Sequence, residues 1–303
     1  CYTHAILQDT LDLQMNVMWY MQNLKELIIT MKTISYYVGE FFLAVLIFFF
    51  FLILMLQCTI FQENFMVKEI EKSNFIQELY HTTEEEFSYY ILQSGLSEEV
   101  VTGLISESEM KEVLLEYLHN FYEGNSLTIP TDDIKTKLEA NIINYLNQNN
   151  LTVSDEASLD LFVEEILNTY QKNMEDSFLF GRVQTLFVKI KQLLPTILIV
   201  LGITIVLIFL LLRFGLKKNS LGIPCFTSGA LFLLFYLYVC NSLDMQNFYV
   251  YNEAFSNLMK SIYSSICSNM LAGAVILFVL GVFATVFGSF FGLQKKKKSV
   301  KQK

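Results

Sequence analysis

The sequence predicts an all-α, polytopic membrane protein: four transmembrane helices, with an extracytoplasmic helical domain between the first and the second. Apolar runs of spanning length are the first sign. The stretch from Leu193 to Leu212, LLPTILIVLGITIVLIFLLL, holds no charge and only two hydroxyls, Thr196 and Thr204. A helix needs about 20 such residues to cross about 30 Å of hydrocarbon. Composition is the second sign. At 53% hydrophobic and a mean hydropathy of +0.42, the chain is more apolar than a soluble domain of its length. Charge distribution is the third. Between Glu63 and Asp176, 24 acidic residues stand against six lysines, a net charge of −18, whereas the whole chain carries −9. The cations elsewhere flank the apolar runs and fill the tail, so acidic and basic regions are segregated.

In chain order, residues 1–40 form a cytoplasmic leader. Its first thirty residues show no clean signal or membrane pattern, and Met31 opens MKTISYY directly before an apolar run. Lys25-Glu26 lies just upstream, where one codon choice spells a bacterial ribosome-binding site. The expectation is therefore that 1–30 is not translated and Met31 is the start. The other reading is an amphipathic surface helix with Leu11, Met15, Met18, Tyr20 and Met21 on its apolar side. Residues 41–61, FFLAVLIFFFFLILMLQCTIF, are the first span, an uncleaved anchor with Lys32 before it and Glu63 after it. Retained positive charge places the N-terminus inside and the next segment outside.

Residues 62–192 read as the outside domain, acidic and helical, on two helical stalks. Thr83-Glu84-Glu85-Glu86 and Ser106-Glu107-Ser108-Glu109 both fit a capping box. Ser97, Thr131 and Ser154 are further start signals, each followed by two acids. Met110, Val113, Leu114, Tyr117, Leu118 and Phe121 share one helical face. So do Ile134, Leu138, Ile142, Tyr145 and Leu146, and Leu159, Phe162, Ile166 and Tyr170 make a third. Gly124 and the asparagines Asn147, Asn149 and Asn150 are stop signals. A helix is expected to run from the domain into the second span, 193–212, with a break or kink at Gly181 or Pro195.

A cytoplasmic loop, 213–222, carries Arg213, Lys217 and Lys218. The third span is 223–240. Residues 241–268 form a second outside loop, where Phe248, Tyr249, Tyr251, Phe255, Leu258, Met259, Ile262 and Tyr263 suggest an interfacial or docking helix. The fourth span is 269–291. The tail 292–303 is polybasic and cytoplasmic, and Lys295, Lys296, Lys297 and Lys298 join Arg213, Lys217 and Lys218 as topogenic and lipid-headgroup contacts. Without a folded reader beside it, this tail does not point to nucleic acid.

Residues that carry chemistry are scarce. The expected catalytic, metal and cofactor sets are each empty. There is no GxSxG, HExxH, P-loop or GxGxxG. His81 near Glu84, Glu85 and Glu86 fits no metal spacing. The five cysteines, Cys1, Cys58, Cys225, Cys240 and Cys267, avoid the acidic segment and form no CxxC. Gln57 stands where a lipobox before Cys58 needs a small residue, so a plain thiol is expected there. No charge falls inside the four apolar cores, which speaks against a proton-coupled transporter. The fourth span does carry small residues: Gly281, Ala284, Gly288 and Gly292 lie close to one face, with Gly273 more loosely aligned. Such a face lets helices approach closely, within the chain or between copies.

The outside segment (LSEEVVTGLIS, KEVLLEYLHNFYEG, IKTKLEANIINYL, LFVEEILNTYQ), followed by three spans and the lysine tail, resembles uncharacterised multi-pass membrane proteins of low-GC Gram-positive bacteria. That resemblance implies a cell-membrane location and no particular activity. The topology is also similar to four-span ABC permeases of the MacB and FtsX type, which pass cytoplasmic ATP hydrolysis to an outside domain. The present outside domain reads as helical where theirs contain sheet, and the 213–222 loop is short for docking an ATPase. The functional expectation is a non-enzymatic membrane protein whose outside domain binds or senses a protein partner at the cell surface. Its spans contact the bilayer and associate with themselves or another membrane protein. The other expectation is a membrane subunit of a transport or mechanotransmission complex with a separate ATPase.

Overall fold

The computed structural model describes residues 2–151, 156–176, 183–215, 222–242 and 253–300. Among them every regular element is a helix. The order is α1 (Tyr2–Cys58), α2 (Glu63–Lys72), α3 (Phe75–Ser94), a 3-10 turn (Glu98–Val100), α4 (Glu107–Glu123), α5 (Asp132–Gln148), α6 (Glu156–Asp176), α7 (Gln184–Gly215), α8 (Gly222–Ser242) and α9 (Glu253–Val300). Four of them are long and apolar enough to cross a membrane, over Met18–Cys58, Gln184–Phe214, Gly222–Ser242 and Glu253–Val286. This is the pattern of a multi-pass membrane protein.

The chain divides into two compact units. One comprises Ile53–Ile197 and Tyr236–Met270, the other Cys1–Leu52, Leu198–Phe235 and Leu271–Lys303. The first is a helical domain. Its core draws on α2 (Met66, Ile70), α3 (Phe75, Leu79, Phe87, Ile91), α4 (Met110, Leu114, Leu118, Phe121), α5 (Ile134, Leu138, Ile142) and α6 (Val163, Ile166, Tyr170, Met174). These positions repeat every three or four residues, so each helix turns one apolar stripe inward. α3 packs on α2, α4 and α6, and α5 packs on α6 and the 3-10 turn.

Local signals set several ends. The Ser106 hydroxyl accepts from the Glu109 N–H at 3.2 Å, and the Glu109 carboxylate accepts from the Ser106 N–H at 2.8 Å, a complete capping box for α4. α4 stops at Gly124, whose φ of 78° is left-handed and suits a residue without Cβ. The turn between α2 and α3 places Asn74 at φ 55°, a conformation asparagine tolerates better than most. Thr83 is a correction. It lies in the middle of α3, buried, donating to the Leu79 carbonyl at 2.8 Å, and caps nothing. The apolar stripe from Phe75 to Ile91 runs past the TEEE sequence and keeps the helix going.

α7 passes through Pro195 without ending, and Gly181 lies outside the described residues. α9 starts at Glu253, so residues that read as an outside loop are its first turns, with Ala254 and Leu258 buried in the domain core. Phe248, Tyr249 and Tyr251 lie outside the described residues, as does Ser154. The helix that carries the first apolar run extends upstream of Met31 as far as Tyr2.

In the second unit, α8 and α9 run antiparallel with glycine at successive contacts. A Cβ on Gly273 would lie 3.2 Å from the Phe232 ring, and one on Gly281 3.1 Å from the Phe226 ring. A Cβ on Gly229 would meet Leu277 and Phe278 at 3.4 Å. One on Gly222 would collide with the Thr285 hydroxyl. Ala274 and Leu277 are buried between these positions and Ala284 is half-buried. From α1, Phe48 sets its ring edge against Phe232 at 5.5 Å, and Gly39 packs on Leu212 of α7.

Candidate functional site

Three polar arrangements stand out from the apolar packing. The first is a cleft on the helical domain, about 230 Å³ in volume. Its floor is apolar: Leu104, Ile105, Val113, Ile134 and Tyr170. Its rim is charged: Glu109, Glu112 and Glu116 from α4, and Asp133 and Lys137 from α5. The four-residue spacing of the α4 helix puts Glu112 and Glu116 on one side, next to the stripe that faces the core. Lys137 is the single cation of the rim, and it is already engaged, 2.8 Å from Glu109 and 3.0 Å from Asp133. Its ammonium, first, and then the Ser106 N–H and hydroxyl hold the Glu109 carboxyl down to about 2. Glu112 and Glu116 are exposed and form no ion pair among the described residues. At the bottom, burial and then the charge of Glu109 push the Tyr170 phenol up to about 12, so it stays neutral at physiological pH. The cleft thus joins an apolar floor to an anionic rim.

The second arrangement centres on Glu69 of α2. It is buried, and its carboxylate is the acceptor for two hydroxyls of α9: Ser261 donates to Oε2 at 2.6 Å and Ser265 to Oε1 at 2.7 Å. Lys72 donates to the Ser265 Oγ at 3.0 Å and stands 3.5 Å from Glu69. A serine beside a lysine is the constellation of some hydrolases, but here Ser265 gives its proton to a carboxylate and Lys72 is exposed. The arrangement holds the first turns of α9 to the domain.

At the base of the domain, α7 completes the end of α4. Gln184 donates to the Asn120 carbonyl at 3.1 Å and Lys191 to the Tyr122 carbonyl at 2.9 Å, satisfying groups the helix end leaves open. The Phe187 ring sits 4.8 Å from Phe61, 4.7 Å from Phe121 and 5.1 Å from Tyr122. The Tyr122 hydroxyl donates to the Ile60 carbonyl at 2.7 Å.

The third arrangement is in the membrane unit. Glu40 of α1 is 4% exposed, accepts from the Tyr36 hydroxyl one turn earlier, and leaves its other oxygen, Oε2, buried without a hydrogen bond among the described residues. Ser228 of α8 is likewise buried, with no hydrogen-bond partner for its Oγ among the described residues. Sequence reading missed Glu40 because hydropathy begins the apolar run at Phe41. The available signal was the four-residue spacing from Tyr36 to Glu40, which puts both on one helical face with Leu43, Ala44 and Ile47, all buried.

Of the residues singled out by sequence, Gly273 and Gly281 lie against phenylalanines of α8. Gly288, Gly292, Lys295, Lys296, Lys297 and Lys298 are in α9, with side-chain surroundings outside the description. Arg213 is exposed in the last turn of α7, and Lys217 and Lys218 fall outside the described residues. His81 stands 3.9 Å from Glu84, and His119 3.1 Å from Glu63, both exposed. The chain matches no protein-family model, no curated protein and no solved structure. A functional reading therefore rests on these residues.

Proposed function

We propose that this is an integral membrane protein whose helical domain lies outside the cytoplasm and binds a cationic, amphipathic segment of a protein partner at the cell surface. The cleft between α4 and α5 carries the proposal. A lysine- or arginine-rich helix with one apolar face would set that face on Leu104, Ile105 and Ile134 and its charges on Glu112 and Glu116. The net charge of −18 over Glu63–Asp176 would steer such a segment from a distance. The lysines of the tail and of the 213–222 loop support the outside placement: held in the cytoplasm, they would leave 62–192 across the bilayer. The pattern of the outside segment, three spans and lysine tail supports a bacterial cell membrane as the setting of this reading.

The test is binding of a fluorescent lysine-rich amphipathic peptide to the full-length protein in lipid nanodiscs, beside a glutamate-rich peptide of the same apolar pattern. Only the lysine-rich peptide should bind, more weakly as salt rises. Converting Glu112→Lys and Glu116→Lys together should weaken it about tenfold, equivalent to about 1.4 kcal/mol. Equal binding of both peptides, or indifference to the two substitutions, removes the cleft from consideration.

A second reading, a membrane subunit of a transport complex with a separate ATPase, is favoured by Glu40. A buried carboxyl with an oxygen left unbonded among the described residues, in a unit of apolar helices, is the kind of group that marks a transport path. Co-purification of an ATPase with the protein in gentle detergent would shift the balance to it.

A further inference from the structure

We infer that Cys240 and Cys267 form a disulfide that fastens the end of α8 to the docking turns of α9. The inference rests on the outside placement proposed above, because only that face of a cell membrane supplies an oxidising environment. The two sulfurs come from different helices, 27 residues apart, and lie 3.1 Å from each other. A disulfide needs about 2.05 Å, so the two sulfurs have only about 1 Å left to close. The neighbourhood holds them in place: the Tyr263 hydroxyl, one turn before Cys267, donates to the carbonyl of Val239, the residue before Cys240, at 3.1 Å. Cys58 and Cys225 have no second sulfur beside them among the described residues. The pairing is therefore specific to one place in the fold.

The chemistry is thiol–disulfide exchange with an oxidant that is itself a disulfide, protein-borne or of low molecular weight. Cys240 is half-buried and Cys267 is buried, so Cys240 reacts first. Its thiolate attacks one sulfur of the oxidant, forming a mixed disulfide and expelling one thiolate. The Cys267 thiolate then attacks the Cys240 sulfur and expels the second. Two protein thiols are oxidised, the oxidant is reduced to two thiols, and the two protons pass to those leaving groups. The closed ring includes Ser261 and Ser265, the hydroxyls that bond Glu69, and Leu258 of the domain core. The bond thus covalently backs the contacts that seat α9 on the domain.

The test uses full-length protein in its native membranes, quenched in acid, denatured, and alkylated with N-ethylmaleimide with and without prior reduction. Mass spectrometry should find the Cys240 and Cys267 peptides linked, two hydrogens lighter than their sum, and alkylated only after reduction. Cys58 and Cys225 should be alkylated in both samples. Alkylation of Cys240 and Cys267 without reduction overturns the inference. A parallel sample reads the orientation separately. Ser126→Cys, in a Cys240→Ser and Cys267→Ser background, is exposed to a membrane-impermeant maleimide on intact cells. Labelling there with no link refutes the disulfide and keeps the outside placement. No labelling and no link refutes both.

Discussion

In the unit formed by Ile53–Ile197 and Tyr236–Met270, the largest fully buried side chains include Tyr122, Tyr170, Phe75 and Phe121. In the other unit the close contacts between α8 and α9 fall on Gly222, Gly229, Gly273 and Gly281, while Leu211 and Phe214 of α7 stand 70% and 72% exposed. Both regions are helical, but apolar bulk has opposite uses in them. In the domain, water drives large side chains inward, and their removal from it holds the helices together. Among the spans lipid is as apolar as leucine, so bulk can face outward, and contact depends on backbones coming close. The same contrast governs glycine. Gly95 and Gly124 serve the domain by positive φ, with nothing near the missing Cβ of Gly95, whereas Gly281 serves the spans by leaving room for a ring.

The largest test of this contrast compares two phenylalanines. Phe121 is 1% exposed and packed on Phe187; Phe121→Ala should cost about 3–5 kcal/mol of domain stability. Phe214→Ala, at a side chain 72% exposed, should leave the unfolding midpoint almost unchanged. Thermal unfolding of the full-length protein in one detergent, followed by proteolysis of 62–192, reads both. An equal loss at the two positions would erase the distinction.

Glycines give the next largest effect. Gly281→Leu forces a side chain against Phe226, where even a Cβ would sit at 3.1 Å, and should cost about 1–3 kcal/mol in the span unit. Gly95→Asn meets no neighbour within 4 Å and needs only a left-handed backbone, which asparagine accepts. It should lower the domain midpoint by much less. Detergent stability of the two variants, compared with the parent, orders them.

A smaller effect is expected at a helix start. Ser106→Ala removes the hydroxyl that accepts from Glu109 N–H and should cost about 1 kcal/mol, seen as a lower midpoint and faster cleavage near α4. This cap was legible in sequence because its partners are three residues apart. The same grammar at Thr83 misled, since a local motif does not act where the apolar stripe of α3 already carries the helix through it. Helix faces such as Met110, Leu114, Leu118 and Phe121 were legible from spacing. What sequence could not show is where distant groups meet. The Glu69 and Ser261 contact joins positions 192 residues apart, and neither residue type announces the other. The cleft was hidden for the same reason, its floor and rim coming from several elements. Glu40 escaped because a hydropathy window sets a span's edge by average, and burial is decided residue by residue.

The smallest expected effect concerns pH and the cleft rim. Glu109 has its carboxyl held down to about 2, first by Lys137 and then by Ser106. In the unfolded chain a glutamate titrates at about 4.3. A carboxyl lowered by folding stabilises the folded state fully above its unfolded value, and that contribution is lost as pH falls from about 4.3 through about 2. The domain midpoint should therefore decline across this window, and Glu109→Gln should remove part of the slope while leaving the rest to other carboxyls. Because Glu109 is mostly exposed, salt screens the pair, and the slope should flatten at high ionic strength. Ser106→Ala combined with Glu109→Gln should cost less than the two changes taken separately, since both remove the side-chain bond they share, the Ser106 hydroxyl donating to the Glu109 carboxylate at 2.9 Å. A strictly additive loss in that double variant would mean that the cap and the Lys137 pair act independently, and that the rim of the cleft is not tied to the start of α4.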